Sequence, residues 1–310
     1  MKSVLSNAKL GTQPGSRPPA ALELTPEGVL AAVISSPGQP PVYAFEPLAP
    51  GSLLPGIGEP NLRAPEAVAA AIRTALDQLS PRSRAITLVI PDTVVRVFVL
   101  DFDSLPAKPV EAFPVLRFRL RKMVPFDVEH AGLSYQVLVE KRDEVKVLAA
   151  VLPGPVLAEY EAAVRAAGYE PGAVLPSSLA TLAAVDSMEA MLIANLSPLA
   201  LTTTISNGQD LLLYRTLDLA NNPVLSIDDV RRGVAVAAAY YEDKLGARPT
   251  RLYFAGSTGS GDAGSEGFAR WIGDPELSVV DLTDHPETGA ATTLRNASIA
   301  AVTGALAGVR

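Results

Sequence analysis

The sequence predicts an α/β protein with mixed sheets, folded as two lobes and carrying a small inserted subdomain. The order of elements is one reason, because each half of the chain begins with a strand hairpin and continues through helices back to strands. Composition is another, because 48% hydrophobic but only 5% aromatic residues require a core built mainly from alanine, valine and leucine. A chain of 310 residues is long enough for two such lobes.

The predicted boundaries follow from these patterns. We expect the first lobe at residues 21–185, with the inserted subdomain at about 93–172, and the second lobe at 186–310. Residues 1–20 include basic side chains but lack the apolar core of a secretory signal, so they are predicted to be a disordered leader. No apolar run reaches the ~20 residues that a membrane-spanning helix requires.

Proline and glycine mark the elements of the first lobe. Ala21–Ile34 is predicted to form two strands joined by a tight turn at Pro26-Glu27-Gly28. The stretch from Pro37 to Pro60 is too poor in periodic hydrophobicity for a long element. Pro65–Leu79 is predicted to be a helix, because proline suits its first turn and its apolar residues form one stripe.

The middle of the chain, which includes the inserted subdomain, is predicted to alternate strands with helices. Val110–Lys122 is expected to be a helix, interrupted or delayed by Pro114. A further helix, closed by Gly168, is expected at Pro155–Ala167, followed by a short one at Pro176–Ala184. The strand-like segments are Ala85–Ile90, Val94–Leu100, Ser134–Leu138 and Glu144–Leu152.

The second half repeats the pattern of strands followed by helices. Asn207-Gly208 predicts a hairpin turn, because this pair between two strand-like runs is a strong hairpin signal. Asp228–Leu245 is predicted to be a long helix, and Arg251–Ala255 a strand that ends in a glycine-rich run. The remaining expected elements are strands at Ala190–Leu196, Ala200–Ile205, Asp210–Thr216 and Leu277–Leu282, and a helix around Phe268.

Charge and residue usage exclude several classes of function. The net charge of −7 disfavours nucleic acid as a primary partner, since proteins that neutralise phosphates are usually basic. The absence of cysteine excludes disulfides, thiolate catalysis and cysteine-bound metal. His130 and His285, far apart in the sequence, do not predict a metal site.

A motif in the inserted subdomain resembles the PilM family. The chain reads Val124-Pro125-Phe126, then an acidic stretch at Asp127–Glu129, then Tyr135-Gln136-Val137-Leu138. In that family a charge-rich helix is followed by a Pro-Phe step, an acidic stretch and a strand that ends in Gln-Val-Leu. The strand that enters the glycine-rich turn at Gly256 also resembles the adenosine-side motif of actin-like ATPases. The order of elements agrees over roughly residues 20–305.

The resemblance implies a fold, a location and a partner. It implies a two-lobed, actin-like fold of the FtsA and PilM kind, with nucleotide in the cleft between the lobes. It also implies a cytoplasmic protein at the inner face of the inner membrane, which binds the short N-terminal tail of a PilN-like membrane protein. Contact with the membrane is then expected only through partners, and self-association stays open.

The two phosphate loops expected in such a fold are altered in this chain. Each normally reads Asp-x-Gly, in which the glycine lets backbone amides approach phosphate and the aspartate holds Mg²⁺ or water. Here Glu23 and Thr25 occupy the first pair of positions, and Asn195 and Ser197 the second, with the Thr202 hydroxyl nearby. We therefore expect little or no ATP hydrolysis and either no cofactor or ATP with Mg²⁺ bound in an altered cleft.

The glycine-rich run is the remaining candidate for nucleotide contact. Gly256, Ser257, Thr258 and Gly259 begin it, and the resemblance implies that they lie beside an adenosine. The run is not a P-loop, because no Gly-Lys-Ser or Gly-Lys-Thr closes it. A surface loop explains the same composition equally well.

A basic cluster on the predicted subdomain helix is the candidate partner surface. Its cations are interleaved with apolar residues and precede the Pro-Phe step, and the alternative interpretations are a solvated helix face or contact with anionic lipid headgroups. The predicted partner-binding residues are Arg117, Phe118, Arg119, Arg121, Pro125 and Phe126, with Lys122 in the same basic cluster.

Two hypotheses for function follow. The first is a scaffold that binds a peptide tail and has lost ATPase activity. The second is an active actin-like ATPase, which would need Glu23 in the first lobe and Asp186 or Asp210 in the second as carboxylates for Mg²⁺. Replacing Glu23 by glutamine would abolish turnover only under the second hypothesis.

Overall fold

The computed structural model describes residues 17–36, 38–58, 60–185, 187–208, 210–220, 223–256, 264–282 and 298–307. Its strands are β1 (Ala20–Thr25), β2 (Gly28–Val33), β3 (Val42–Pro47), β4 (Ala85–Ile90), β5 (Arg96–Phe102), β6 (Gly132–Lys141), β7 (Glu144–Leu152), β8 (Glu170–Pro176), β9 (Ala190–Ser197), β10 (Ala200–Asn207), β11 (Asp210–Asp218), β12 (Arg251–Gly256) and β13 (Ser278–Asp281). Its helices are α1 (Pro65–Leu79), α2 (Pro109–Leu120), α3 (Gly154–Ala166), α4 (Ser177–Leu182), α5 (Ile227–Leu245), α6 (Gly264–Ile272) and α7 (Ala300–Leu306). None of the helices in these ranges has the length and apolar character needed to cross a bilayer.

The first lobe is a sheet in the order β3-β2-β1-β4-β8 with helices on both faces. Strands β1 to β3 are antiparallel, whereas β4 and β8 run parallel to β1. One face packs on α1 and α3, where Ile72, Leu76 and Tyr160 are fully buried. The other face packs on α7 through Val302 and Ala305. With helices on both faces, the strands of this sheet are largely buried.

The second lobe repeats this arrangement in the order β11-β10-β9-β12-β13. Again three antiparallel strands are followed by two parallel ones. Helices α5 and α6 cover one face, and the rings of Phe254 and Phe268 stack there at 4.4 Å between centroids. The hairpin predicted at Asn207-Gly208 is confirmed, and Gly208 has the positive φ of 56° that such a turn favours.

The inserted subdomain is a sheet in the order β5-β7-β6 that carries α2 on one face. Its other face packs against the second lobe, because Val97, Val99 and Leu148 lie in one apolar cluster with Met191 and Ile193. The subdomain is therefore joined by apolar packing to the second lobe as well as by the chain to the first.

Three elements differ from what the sequence predicted. A strand, β3, lies within the proline-rich stretch that showed no periodic pattern, and neither β8 nor α7 was predicted. Helix α7 consists mostly of small residues, so its sequence shows no apolar stripe, yet it packs closely on α4. A Cβ added at Gly304 would lie 1.9 Å from the Ala180 carbonyl oxygen.

Helix α2 is also more regular than expected. It begins at Pro109 and continues through Pro114, which does not interrupt or delay it. The proline removes only its own hydrogen bond to the carbonyl of residue 110, in the first turn of the helix, where Val110 is exposed to solvent.

Candidate functional site

The candidate site is the cleft between the lobes, where the turns of two equivalent hairpins meet. The β1–β2 turn spans residues 25–28 and the β9–β10 turn spans residues 197–200, and both contribute to the cleft wall. Their sequences are related, Thr-Pro-Glu-Gly and Ser-Pro-Leu-Ala. The wall also includes Pro55, Pro91, Asp92, Thr93 and Ser177.

A hydroxyl side chain closes each turn on itself. The Thr25 hydroxyl donates to the Gly28 carbonyl at 3.1 Å and accepts from the Gly28 amide at 3.3 Å. The Ser197 hydroxyl does the same with Ala200, at 3.2 Å to its carbonyl and 3.1 Å from its amide. The residues at the glycine positions of the expected phosphate loops therefore bond to their own turns.

Proline removes a further donor from each turn. Pro26 and Pro198 have no amide hydrogen, and the amides of Gly28 and Ala200 are already bonded to hydroxyls. A phosphate-binding turn needs several free amides that converge on the ligand. In both turns, the proline and the hydroxyl side chain together leave fewer free amides for a phosphate.

Glu23 and Asn195, which occupy the aspartate positions of the two expected phosphate loops, bond to α4 at the base of the cleft. Ser177 donates to a Glu23 carboxylate oxygen at 2.8 Å. The Asn195 amide donates to the hydroxyls of Ser177 at 3.2 Å and Ser178 at 2.9 Å. Glu23 and Asn195 are both buried, so the structure brings these two predicted residues together through the two serines.

Asp92 is the centre of the cluster, and sequence reasoning did not select it. Its Oδ1 accepts from the Ser178 amide at 3.0 Å and the Tyr214 hydroxyl at 3.1 Å. Its Oδ2 accepts from the Thr202 hydroxyl at 3.0 Å and from the Ser178 hydroxyl. The one available signal was an aspartate two residues beyond the carboxyl end of a buried strand, β4, where α/β proteins often place functional groups.

Burial shifts the protonation of this cluster. It raises the pKa of Glu23 to about 7, and the negative charges of Asp92 and Glu27 act in the same direction, whereas the Ser177 hydrogen bond opposes them. Burial also raises the pKa of Asp92, against the hydrogen bonds from Ser178, Thr202 and Tyr214. The described cleft wall contains no lysine, arginine or histidine that would offset these carboxyl groups.

The described residues of the cleft do not fit a nucleotide phosphate with Mg²⁺. The cleft leaves about 30 Å³ of space for water, room for about two water molecules, and its described wall offers no cation to a phosphate. The buried Thr93 hydroxyl has no hydrogen-bond partner among the residues that the structure describes, and it suits such a water. Asp210, a carboxylate considered for Mg²⁺, lies at the end of β11 away from the turn at 197–200, and Asp186 lies outside the described residues.

Of the predicted glycine-rich candidates, the structure describes only Gly256. It ends β12 with a φ of +124°, and an added Cβ would lie 2.0 Å from the Leu196 carbonyl oxygen. Glycine is therefore required there for the close contact between β12 and β9. Ser257, Thr258 and Gly259 lie outside the described residues.

The second candidate region is the solvent-facing side of α2. Ala112, Leu116 and Leu120 pack on the subdomain sheet, whereas Val110 and Phe118 are 76% and 69% exposed. The exposed side of the helix and the turn after it also include Glu111, Pro114 and Arg121. From this side, the α2 face is defined by its large apolar residues and by the two cations that have no ion-pair partner among the described residues: Val110, Val115, Phe118, Arg119, Lys122 and Met123.

The predicted basic residues divide between this face and the subdomain. Arg121 forms an ion pair with Glu129, and Arg117 is half-buried and donates to the Ala131 carbonyl at 3.3 Å. Arg119 and Lys122 are exposed and have no ion-pair partner among the described residues. Two cations of the cluster thus remain free to bind a partner.

The Pro-Phe step lies just beyond α2. Pro125 is exposed, whereas Phe126 is half-buried and packs on the core of the subdomain. The structure therefore places Phe118, Arg119, Arg121 and Pro125 at the surface, and turns Arg117 and Phe126 toward the subdomain.

Comparisons with known proteins identify the fold. No protein-family model and no curated protein sequence matches the chain. Among solved structures, the PilM–PilN type IV pilus biogenesis complex matches with a TM-score of 0.71 and 19% identity, over 95% of this chain and 99% of that chain. The cytoplasmic domain of EpsL, an inner-membrane component of the type II secretion system of Vibrio cholerae, matches with a TM-score of 0.50 and 14% identity, over 87% and 89%. The chain therefore has the two-lobed, actin-like α/β fold that its sequence predicted.

Proposed function

We propose that this protein is a scaffold of type IV pilus or related secretion machinery, and that it binds the N-terminal tail of a PilN-like inner-membrane protein. The observation that carries the proposal is the structural similarity to PilM, solved in complex with PilN, over nearly the whole length of both chains. The similarity to the cytoplasmic domain of EpsL supports the same class of machinery. In this role the protein would lie at the cytoplasmic face of the inner membrane and reach the membrane through its partner.

The α2 face is the proposed docking surface for the tail. Large exposed apolar side chains that cluster on one face are typical of interaction sites, and an aromatic residue such as Phe118 is a frequent energetic hot spot. Val110 and Phe118 lie eight residues apart, two turns along one side of the helix, so they can contact one short segment. Exposed Pro125 extends this surface beyond the end of the helix.

The free cations at one end of the α2 face indicate the chemistry of the tail. Lys122 follows Phe118 by one helical turn, and Arg119 follows Val115 by the same interval. A carboxylate beside the aliphatic residues of the tail would pair with these cations. The proposed tail is therefore aliphatic with acidic residues, and Arg121 would join the contact by exchanging Glu129 for the tail.

The scaffold role does not require nucleotide turnover. In both turns a hydroxyl side chain already bonds the amide two residues after the proline, at Gly28 and at Ala200, and the described cleft wall offers no cation to a phosphate. The tail would accordingly bind with the same affinity in the presence and absence of ATP. The alternative, an active actin-like ATPase, predicts turnover that the Glu23→Gln change abolishes.

Calorimetric titration with a synthetic PilN-like N-terminal peptide tests the proposal. We expect binding that ATP and Mg²⁺ do not alter and that Phe118→Ala weakens by at least about tenfold. Met188→Ala is the matched control, because Met188 is 75% exposed but lies on the second lobe. Absence of binding by the native protein contradicts the proposed function. Equal binding by native protein and the Phe118 variant contradicts only the docking surface, and steady ATP hydrolysis by native protein supports the alternative.

A further inference from the structure

We infer that the cleft of this actin-like fold is a fixed joint between the lobes and not a ligand site, and that Asp92 is the residue that fastens it. The inference goes beyond the proposed function, because it concerns whether the lobes move and holds whichever partner the surface binds. The described residues of the cleft do not fit the nucleotide that the actin-like fold commonly holds there, and they bond to one another.

One carboxylate bonds to both lobes at once. Asp92 follows β4 of the first lobe, and Ser178, which bonds to it twice, begins α4 of the same lobe. Thr202 and Tyr214 lie on β10 and β11 of the second lobe and donate to the same carboxylate at 3.0 and 3.1 Å. Any widening of the cleft must therefore break hydrogen bonds to a buried carboxylate, which are costly to leave unmade.

A second set of hydrogen bonds crosses the same boundary. The Asn195 amide, on β9 of the second lobe, donates to the hydroxyls of Ser177 and Ser178 on the first. Ser177 in turn donates to Glu23 on β1. Asn195 therefore bonds across the cleft to the first lobe, and Glu23 is linked to it through Ser177 within its own lobe.

An apolar seam supports the joint beside the cleft. The inserted subdomain contributes Val97, Val99 and Leu148, and the second lobe contributes Met191 and Ile193. Arg96 forms an ion pair with Asp218 at 3.0 Å along the same boundary. Separation of the lobes would expose this apolar surface to water, so the seam and the hydrogen bonds oppose opening together.

Distance measurements between spin labels on the two lobes test the joint. The sequence contains no cysteine, so single cysteines can be placed cleanly at exposed Arg82 on the first lobe and Asp243 on the second. We expect one narrow distance distribution that is the same with and without ATP and Mg²⁺. A second population, or a shift of the distance with nucleotide, would overturn the fixed joint.

Variants at the hub test the role of Asp92. Asp92→Ala is expected to broaden the distance distribution, whereas Asp92→Asn retains an acceptor for the Ser178 amide and should leave it narrow. If the alanine variant does not fold, the pair Thr202→Val with Tyr214→Phe removes the two bonds from the second lobe to Asp92, together with the Thr202–Thr216 hydrogen bond inside that lobe, and should broaden the distribution in its place. A distribution as narrow as that of the native protein in folded Asp92→Ala, or in the folded Thr202→Val and Tyr214→Phe pair, would show that Asp92 does not fasten the joint.

Discussion

The cleft and the α2 face differ in whether their side chains have bonding partners within the protein. In the cleft, Glu23, Asp92 and Asn195 are buried, and each bonds to at least one side chain from another element. On the α2 face, Phe118 and Val110 remain exposed, and neighbouring cations have no ion-pair partner among the described residues. The carboxyl and amide groups of the cleft are therefore bonded within the protein, whereas exposed groups available to a partner lie on the inserted subdomain.

The difference has a physical basis. Buried polar groups must be hydrogen-bonded, so side chains that cannot hold a phosphate are stable in the cleft only if they bond to one another. An exposed aromatic ring is removed from water only when another molecule covers it. The two regions therefore predict opposite responses to mutation, with changes in the cleft acting on stability and changes on the α2 face acting on binding.

The largest expected effect is at the centre of the cleft. Asp92→Ala leaves the Ser178 amide and the hydroxyls of Thr202 and Tyr214 without their acceptor, and we expect the free energy of unfolding to fall by about 4 kcal/mol. Asp92→Asn keeps one oxygen and should lose about 1 kcal/mol. Urea unfolding measures both. Equal losses would mean that the negative charge, and not the set of acceptors, stabilises the cleft.

A glycine beneath the cleft is expected to have the next largest effect. Gly304→Ala places a methyl group against the backbone of α4 at Ala180, which presents the two serines to the cleft, and should lower the free energy of unfolding by about 3 kcal/mol. Gly56→Ala is the control, because nothing lies within 4 Å of its added methyl, and the expected change is within about 0.5 kcal/mol. If both changes are tolerated alike in thermal unfolding, the contact between α4 and α7 is not tight.

Protonation of Glu23 gives a smaller effect that depends on pH. Its pKa rises from 4.5 to about 7 on folding, so the folded state holds a proton that the unfolded state releases, and stability falls as pH rises through this window. Glu23→Gln mimics the protonated form. Its stability relative to the native protein should grow between pH 4.5 and about 7, by at most roughly 3 kcal/mol, and then stay constant.

Urea unfolding at a series of pH values checks this prediction. Asp92, whose pKa is also raised by burial, is present in both proteins, so the difference reports the titration of Glu23 together with its interaction with Asp92 and Glu27. A stability difference that does not change with pH would mean that Glu23 is not desolvated in the folded cleft.

The sequence predicted the fold better than it predicted the centre of the site. Local signals such as proline at the first turn of α1 and Asn207-Gly208 at a hairpin act over a few residues, so they could be read directly. Asp92 could not, because its partners Ser178, Thr202 and Tyr214 lie 86, 110 and 122 residues away in the sequence. Only the fold brings them together.

The phosphate-loop positions show the same limit on a smaller scale. Thr25 and Ser197 were readable as replacements for glycine, but the sequence did not show that each hydroxyl closes its own turn.

Helix phase explains why the basic cluster divides between the α2 face and the packed side of the subdomain. Arg117 lies near the edge of the packed side of α2 and reaches Ala131, whereas Phe118, one residue later, is turned to solvent.

The smallest expected effect is electrostatic and belongs to the α2 face. Arg119→Glu reverses a free cation at the edge of the proposed tail-binding surface, and should weaken binding of the acidic tail about tenfold at low salt, with little change in protein stability. The difference from the native protein should shrink as salt rises, because screening shortens from ~10 Å at 0.1 M to ~3 Å at 1 M. Arg142→Glu, at the exposed β6–β7 turn of the same subdomain, changes the net charge equally and is the control. If both variants weaken binding to the same extent, the tail responds to overall charge and does not contact Arg119, so its docking site must lie elsewhere on the molecule.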